Sequence, residues 1–284
     1  MPPDTNVLPE QIEGDVSPLL RQRYGAADAP TGLHWNGVIA SLLSHRSVRA
    51  YLPQPLPIGT LETAIAAAQS AASSSNLQVW SVVGVEDPAR KARLAALAGD
   101  QKHIIQAPLF LVWLADLSRL KRLAEARGIE TAGLSYLELL VVGVVDTAIA
   151  AQNAVAVFES LGLGTVYIGA LRNKVGPVAA ELGLPSHVLP VFGLTVGYPD
   201  PARPAAIKPR LAQAAVLSRE TYSTADEVEA VARYDRTLQA FQHQQGQPVE
   251  GWSARAIERI RTPQALHGRH HLRQALHDLG FDLA

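Results

Sequence analysis

From Leu134 to Gly164 the chain is apolar enough, and long enough, to cross a bilayer, yet Glu138, Asp146, Gln152, Asn153 and Glu159 interrupt the run. Charges at bilayer depth are costly, so the segment reads as a buried helix from about Ser135 to Leu161. It is apolar around much of its circumference and must be covered on several sides at once. One sheet can cover one side; a partner subunit would cover another.

The rest of the 284-residue chain is consistent with a core built around that helix. Hydrophobic residues make up 48% and charged residues 18%, which is globular rather than disordered composition. The balance of 25 Lys+Arg against 26 Asp+Glu leaves no field that would gather nucleic acid or an anionic membrane. With no cysteine, disulfides, thiolate metal sites and a cysteine nucleophile are excluded. The opening MPPDTNVLPEQIEGD carries acids and prolines where a secretory signal needs a basic start and an apolar run, so a cytoplasmic protein is expected.

Residues 1–30 read as an arm whose one helical pattern is short, at Leu19 to Tyr24. Helices are expected at Val38 to Leu43, at Leu61 to Ala72 with Thr60 as cap, from Asp87-Pro88 through Ala98, and at Val175 to Leu182. The short β-branched or apolar runs Val79 to Val85, Leu109 to Ala115, Thr165 to Ile168 and Leu189 to Val196 read as strands. The layout is α+β, with a core over 31–211. After Lys208-Pro209-Arg210 the composition shifts to Gln, Arg and His, and 212–284 reads as a C-terminal helical extension with patterns near Ala225 to Gln242, Ala254 to Arg261 and His270 to Leu279.

Four segments carry chemistry. In His45-Arg46-Ser47-Val48-Arg49, two guanidinium groups, a hydroxyl and an imidazole fall within five residues. Guanidinium binds phosphate as a bidentate fork, so this is either a phosphate clamp or a solvated basic patch. The run Ser73-Ser74-Ser75-Asn76 follows an alanine-rich helix, and its small hydroxyls and amides can approach a phosphate closely; a bland loop looks the same. In Gly162-Leu163-Gly164-Thr165-Val166-Tyr167-Ile168-Gly169-Ala170-Leu171-Arg172-Asn173, glycines flank a strand and suit backbone brought against a flat ligand. It fails as a dinucleotide fingerprint, because no third glycine opens a helix. Lys208 and Arg210, spaced by a proline, are a second cation pair.

In order and spacing, LLSHRSVRAY, AAQSAASSSNLQ, GDQKHIIQAP, ESLGLGTVYIGALRN and IKPRL together resemble the FMN-dependent nitroreductase and flavin reductase family, in particular its larger oxygen-insensitive, NADPH-preferring type. The resemblance implies a three-layer α+β fold with a central mixed sheet, a long central helix and an intertwined homodimer with FMN at the subunit interface. It puts His45, Arg46, Ser47 and Arg49 on FMN, with Lys208 and Arg210 helping to hold the phosphate. Ser73, Ser74 and Ser75 would reach the partner's FMN, Gln101 would lie beside the isoalloxazine ring, and the Tyr167-Ile168-Gly169-Ala170 backbone would face N5 and O4. The family often has a second glycine where this chain has Ala170, and a methyl there would narrow the approach. The implied activity passes a hydride from NADPH or NADH through FMN to a nitroaromatic, quinone or flavin by a ping-pong route.

An FMN-binding redox sensor or storage module would use the same residues without efficient turnover, and a flavin-remodelling enzyme would consume the flavin itself. His267, His270 and His271 share a helical neighbourhood, but no carboxylate accompanies them and no metal is expected. His103 reads as part of the cofactor-side loop, and Asp146 with Thr147 as a buried polar pair. For the nicotinamide 2′-phosphate, the stretch between Tyr234 and Trp252 holds no basic residue after Arg236 except His243, leaving Arg255, Arg259 or Arg261 as the alternative grip.

Overall fold

The computed structural model describes residues 17–284, so the part of the expected arm before Ser17 lies outside the described residues. In chain order the elements are α1 (Ser17–Tyr24), α2 (Gly37–Leu43), α3 (Thr60–Gln69), β1 (Trp80–Val85), α4 (Pro88–Leu97), α5 (Lys102–Gln106), β2 (Leu109–Asp116), α6 (Ser118–Glu125) and α7 (Leu137–Ser160). They continue with β3 (Gly164–Ile168), α8 (Val175–Glu181), β4 (Val188–Gly197), α9 (Glu227–Gln244), α10 (Ser253–Ile260) and α11 (Leu272–Asp278). Contacts divide the described chain into two units. One is 47–205 with 266–284 and carries the sheet; the other is 17–46 with 206–265.

In the sheet-bearing unit every residue of β2 is buried, which makes it the strand around which the layers form. Side chains of a strand alternate between its faces. Phe110, Val112 and Leu114 therefore enter one cluster, with Leu94 of α4 and Val178 of α8. Leu109, Leu111 and Trp113 enter another, with Ala64 and Ala68 of α3 and Ala150, Ala154 and Phe158 of α7. This is a three-layer arrangement. The strand order is β1-β2-β4-β3, the named strands pair antiparallel, and the parallel component is an isolated bridge between Ser47 and Thr165.

Two irregularities interrupt this regular packing. Trp113 pairs with Phe192 but Leu114 pairs with Pro190, so β4 bulges at Val191. Gly143 lets α7 approach β2 closely, since a Cβ there would stand 3.1 Å from that of Ala115. Along α7, Asp146 and Thr147 are buried, and Thr147 Oγ1 donates to the carbonyls of Gly143 at 2.6 Å and Leu114 at 3.0 Å. The opposite side of the helix is exposed and apolar, at Leu137, Val141, Val145 and Ile149.

Thr60 does not cap α3. It is the first helical residue, and Gly59 takes the cap position with φ +86°, a conformation glycine adopts without strain. Asp87 does cap α4, accepting from the Arg90 amide at 2.7 Å ahead of Pro88. His270 and His271 lie on a 3-10 turn before α11 rather than inside the helix, their rings 3.9 Å apart. Residues 266–284 belong to the sheet-bearing unit, where Leu276 and Phe281 join a cluster with Leu134, Val175 and Leu189.

Gly193 in β4 tests the tightness of this core, because a Cβ there would fall 2.4 Å from Phe110 Cζ and 3.2 Å from Leu171 Cδ1. Gly193→Ala is expected to lower the unfolding free energy by about 1–3 kcal/mol, the usual cost of overpacking. Urea titration of the apoprotein should show a lower midpoint at unchanged slope; an unchanged midpoint would mean that the Phe110 ring moves aside freely.

Candidate functional site

The serine run lies between α3 and β1, within the sheet-bearing unit. Ser75, Asn76 and Gln78 all have left-handed φ, at +48°, +54° and +52°, which side chains rarely adopt unless the surroundings hold them there. Asp146 supplies that hold. Its Oδ2 accepts from Ser73 Oγ at 2.6 Å and its Oδ1 from the Ser74 amide at 3.2 Å. Ser73 Oγ in turn accepts from the Gln78 amide at 2.7 Å. The Ser73 proton is thus committed to a carboxylate, whereas Ser74 and Ser75 are exposed.

Gln101 opens α5 after two left-handed residues, Gly99 and Asp100, and its Nε2 donates to the Ala98 carbonyl at 3.1 Å. At the far end of the same short helix, the buried Lys91 donates from Nζ to the Ala107 carbonyl at 2.6 Å. Both ends of α5 are therefore tied down. Between them stands His103, half-buried, whose Nε2 is buried and meets no partner among the described residues. Burial first, and then the charge of Arg49, hold its pKa below the usual histidine value, so the ring is neutral at pH 7 and its free nitrogen faces an unfilled demand.

The segment Tyr167-Ile168-Gly169-Ala170 runs from the end of β3 into a 3-10 turn. Tyr167 is partly exposed, stands edge-on to Phe192 at 5.0 Å and donates from its hydroxyl to Gln152 Oε1 at 3.3 Å. The Ala170 methyl is buried in the cluster formed with Ile104, Phe110 and Leu171. Ser47 bridges Thr165, and Arg49 is exposed.

His45, Arg46, Lys208 and Arg210 belong to the other unit. There a buried arginine that the sequence did not single out organises them: Arg23 donates to the carbonyls of Leu43 at 2.8 Å, His45 at 2.8 Å and Lys208 at 2.9 Å. Its own carbonyl accepts from the Arg210 amide at 2.7 Å, and Tyr234 donates from its hydroxyl to the Pro209 carbonyl at 2.9 Å. The Lys208-Pro209-Arg210 backbone is fixed from three directions. Arg210 itself lines a cleft of about 300 Å³ with Tyr24, Tyr234 and Trp252. The signal in the sequence was weak, since Arg23 reads there as an ordinary helix-end cation.

In the same unit, the stretch considered for gripping the nicotinamide 2′-phosphate is closed by internal bonds. Helix α9 runs to Gln244, Asp235 accepts from the amides of Trp252 at 2.6 Å and Ser253 at 2.8 Å, and the buried Gln242 accepts from those of Glu250 and Gly251, each at 3.1 Å. Arg255 pairs with Glu250 at 2.6 Å and Arg261 with Glu258 at 2.8 Å. Arg259 keeps a buried Nη1 with no partner among the described residues.

Comparison with known proteins places the chain in a class. Residues 42–198 match the model of the nitroreductase family, and residues 208–284 match that of the nitroreductase family C-terminal domain. The chain belongs to the nitroreductase family. It is 40% identical over 253 residues to an FMN reductase of Bacillus subtilis named for NAD(P)H, covering 87% of this chain and 98% of that one. It is 39% identical over 245 residues to an oxygen-insensitive NADPH nitroreductase of Salmonella typhimurium, covering 86% and 97%. Among solved structures, the nitroreductase NfrA1 of B. subtilis superposes with a TM-score of 0.81 at 35% identity, over 87% of this chain and 99% of that one.

Removing the carboxylate at Asp146 would leave the Ser73 hydroxyl and the Ser74 amide without their partner. Asp146→Ala is therefore expected to weaken FMN binding by about 10- to 100-fold, corresponding to roughly 1–3 kcal/mol for the lost hydrogen bonds to a charged acceptor. Fluorescence titration of the apoprotein with FMN measures it, and wild-type affinity would show that the loop keeps its shape without Asp146.

Proposed function

We propose that this chain is an NAD(P)H-dependent FMN oxidoreductase acting as a soluble cytoplasmic homodimer, with a nitroaromatic, quinone or flavin as acceptor. The observation that carries the reading is the Ser73–Gln78 loop, held in left-handed conformations by Asp146 so that Ser74 and Ser75 present hydroxyls outward. A loop of that kind suits close contact with a phosphate. Support comes also from Arg46 and Arg49, exposed guanidinium groups that no carboxylate pairs with among the described residues, and from the unpartnered Nε2 of the neutral His103. The relatives named as FMN reductases and NADPH nitroreductase support the cofactor and the donor.

FMN, when bound, would supply the hydride and electron transfer between the nicotinamide and the acceptor, in the ping-pong order that the resemblance implies. The chain's residues bind and orient. As the resemblance implies, His45, Arg46, Ser47 and Arg49 would meet FMN, Lys208 and Arg210 would help to hold its phosphate, Ser74 and Ser75 would contribute from the partner subunit, and Ser73 fastens the loop. Gln101 and the Tyr167–Ala170 backbone meet the ring. The Ala170 methyl, which replaces the second glycine frequent in the family, is buried among interior side chains. The apolar row Leu137, Val141, Val145 and Ile149, between 41% and 50% exposed, is the face of α7 that a second subunit would cover.

The purified protein is expected to be yellow, with about one FMN per subunit, to sediment as a dimer, and to turn over a quinone with NADPH. A colourless protein that ignores added FMN would overturn the proposal; one bleaching event without turnover would mark a binding module instead.

For the nicotinamide, two of the three candidate arginines pair with Glu250 and Glu258, which leaves Arg259, whose buried Nη1 meets no partner among the described residues, as the remaining candidate. A modest preference for NADPH follows. Parallel kcat/KM measurements with NADPH and NADH are expected to differ by less than roughly a hundredfold, about 2.7 kcal/mol. A larger ratio would mean that a second phosphate contact forms on binding.

A further inference from the structure

The guanidinium of Arg172 is a cation that the proposed function leaves unused. It lies on the turn Gly169–Lys174 directly after β3, and its Nη1 donates to the carbonyl of Val191. That carbonyl belongs to the bulged residue of β4, which the regular ladder skips and which therefore needs a donor from elsewhere. The guanidinium is packed against the backbone of Gly169: a Cβ at that glycine would stand 3.4 Å from Nη2, 3.8 Å from Nη1 and 3.9 Å from Cζ.

Arg172 is half-buried, and no carboxylate pairs with it among the described residues. Burial pulls its pKa below the ordinary arginine value, and a guanidinium remains charged even so. The charge is costly in that position. Satisfying the Val191 carbonyl does not require it, because a neutral amide of similar reach would donate equally well. The cation therefore needs another explanation, and its place beside Gly169 offers one.

We propose that Arg172 is the fixed positive charge that sets the reduction potential of the flavin, favouring the reduced, anionic form held against the Tyr167–Ala170 backbone. The inference rests on the proposed FMN function. The oxidised isoalloxazine is neutral; a hydride, two electrons and one proton, leaves it with one negative charge. A cation in a partly desolvated position then binds the reduced form more tightly than the oxidised one. Arg172 acts through the field it sets up.

The test uses the FMN-loaded protein and the variants Arg172→Gln and Arg172→Lys, with affinity for oxidised FMN measured by titration and the bound-flavin potential by redox titration. In Arg172→Gln, binding of reduced FMN should weaken about tenfold relative to oxidised FMN, a shift of about 30 mV to more negative potential for a two-electron couple. Arg172→Lys should stay near the wild-type potential. Equal loss of both flavin forms in both variants, or an unshifted potential in Arg172→Gln, would reduce Arg172 to a strut for the bulge and overturn the inference. Should Arg172→Gln not fold, the wild-type protein decides alone. A couple that takes up one proton moves by about 30 mV per pH unit; twice that slope between pH 6 and 8 would show a neutral reduced flavin and overturn the proposal. Wild-type protein that binds no FMN would instead sink the reading on which the inference rests.

Discussion

A buried carboxylate in the middle of a largely apolar helix is tolerable only when its oxygens are filled, and in α7 Asp146 meets that condition. The side chain is 2% exposed, and its two oxygens are taken by a hydroxyl and an amide of the Ser73–Gln78 loop. Such bonds to a charged acceptor are stronger than neutral ones, and stranding the charge would cost about 3–5 kcal/mol. The loop cannot relax without incurring that cost, so three left-handed residues stay in place. One position further on, Thr147 reaches the Leu114 carbonyl and ties the same turn of α7 to β2. Helix, sheet and loop are thus fixed by two neighbouring polar residues within an apolar run.

That dependence explains which parts were legible in the sequence. The strands Trp80–Val85, Leu109–Asp116, Gly164–Ile168 and Val188–Gly197 lie within a residue or so of the runs that composition marks, because period and β-branching are local properties. The long helix is legible for the same reason. The cap of α3 was misassigned because a threonine at a helix start is a common cap, and only the backbone angle of Gly59 reveals the alternative. The helices α5 and α6 were not anticipated: α5 is a single short turn, and the Ser118–Glu125 pattern is mostly polar.

The candidate site divides in a similar way. Its hydroxyls and cations stand out in sequence as clusters of residue type. What holds them does not, since Asp146 lies 73 residues from Ser73 and Arg23 lies 185 from Lys208. The distinction between Ser73, whose proton is committed, and Ser74 and Ser75, which are exposed, is likewise invisible without the fold. Arg172 sits inside a segment whose glycines attracted attention, but its significance depends on a bulge at Val191 that no local pattern announces.

The arginines fall into populations with different physical meanings. Arg90, Arg93, Arg203, Arg233, Arg255 and Arg261 each stand within ion-pair distance of a carboxylate. Pairs at the surface contribute little, so these contacts say more about charge balance than about stability. Arg46, Arg49 and Arg210 are exposed, and water suffices to solvate them; their lack of a carboxylate among the described residues gains meaning only from the segments that carry them. Arg172 is different, because partial burial removes part of that solvation and no carboxylate pairs with it among the described residues. In a chain whose formal net charge is −1, the field near Gly169 is therefore set by placement rather than by overall composition. A cation held at a bulge carbonyl and pressed on a glycine cannot swing away to water as a surface side chain would, and that immobility lets a single charge act on whatever the neighbouring backbone binds.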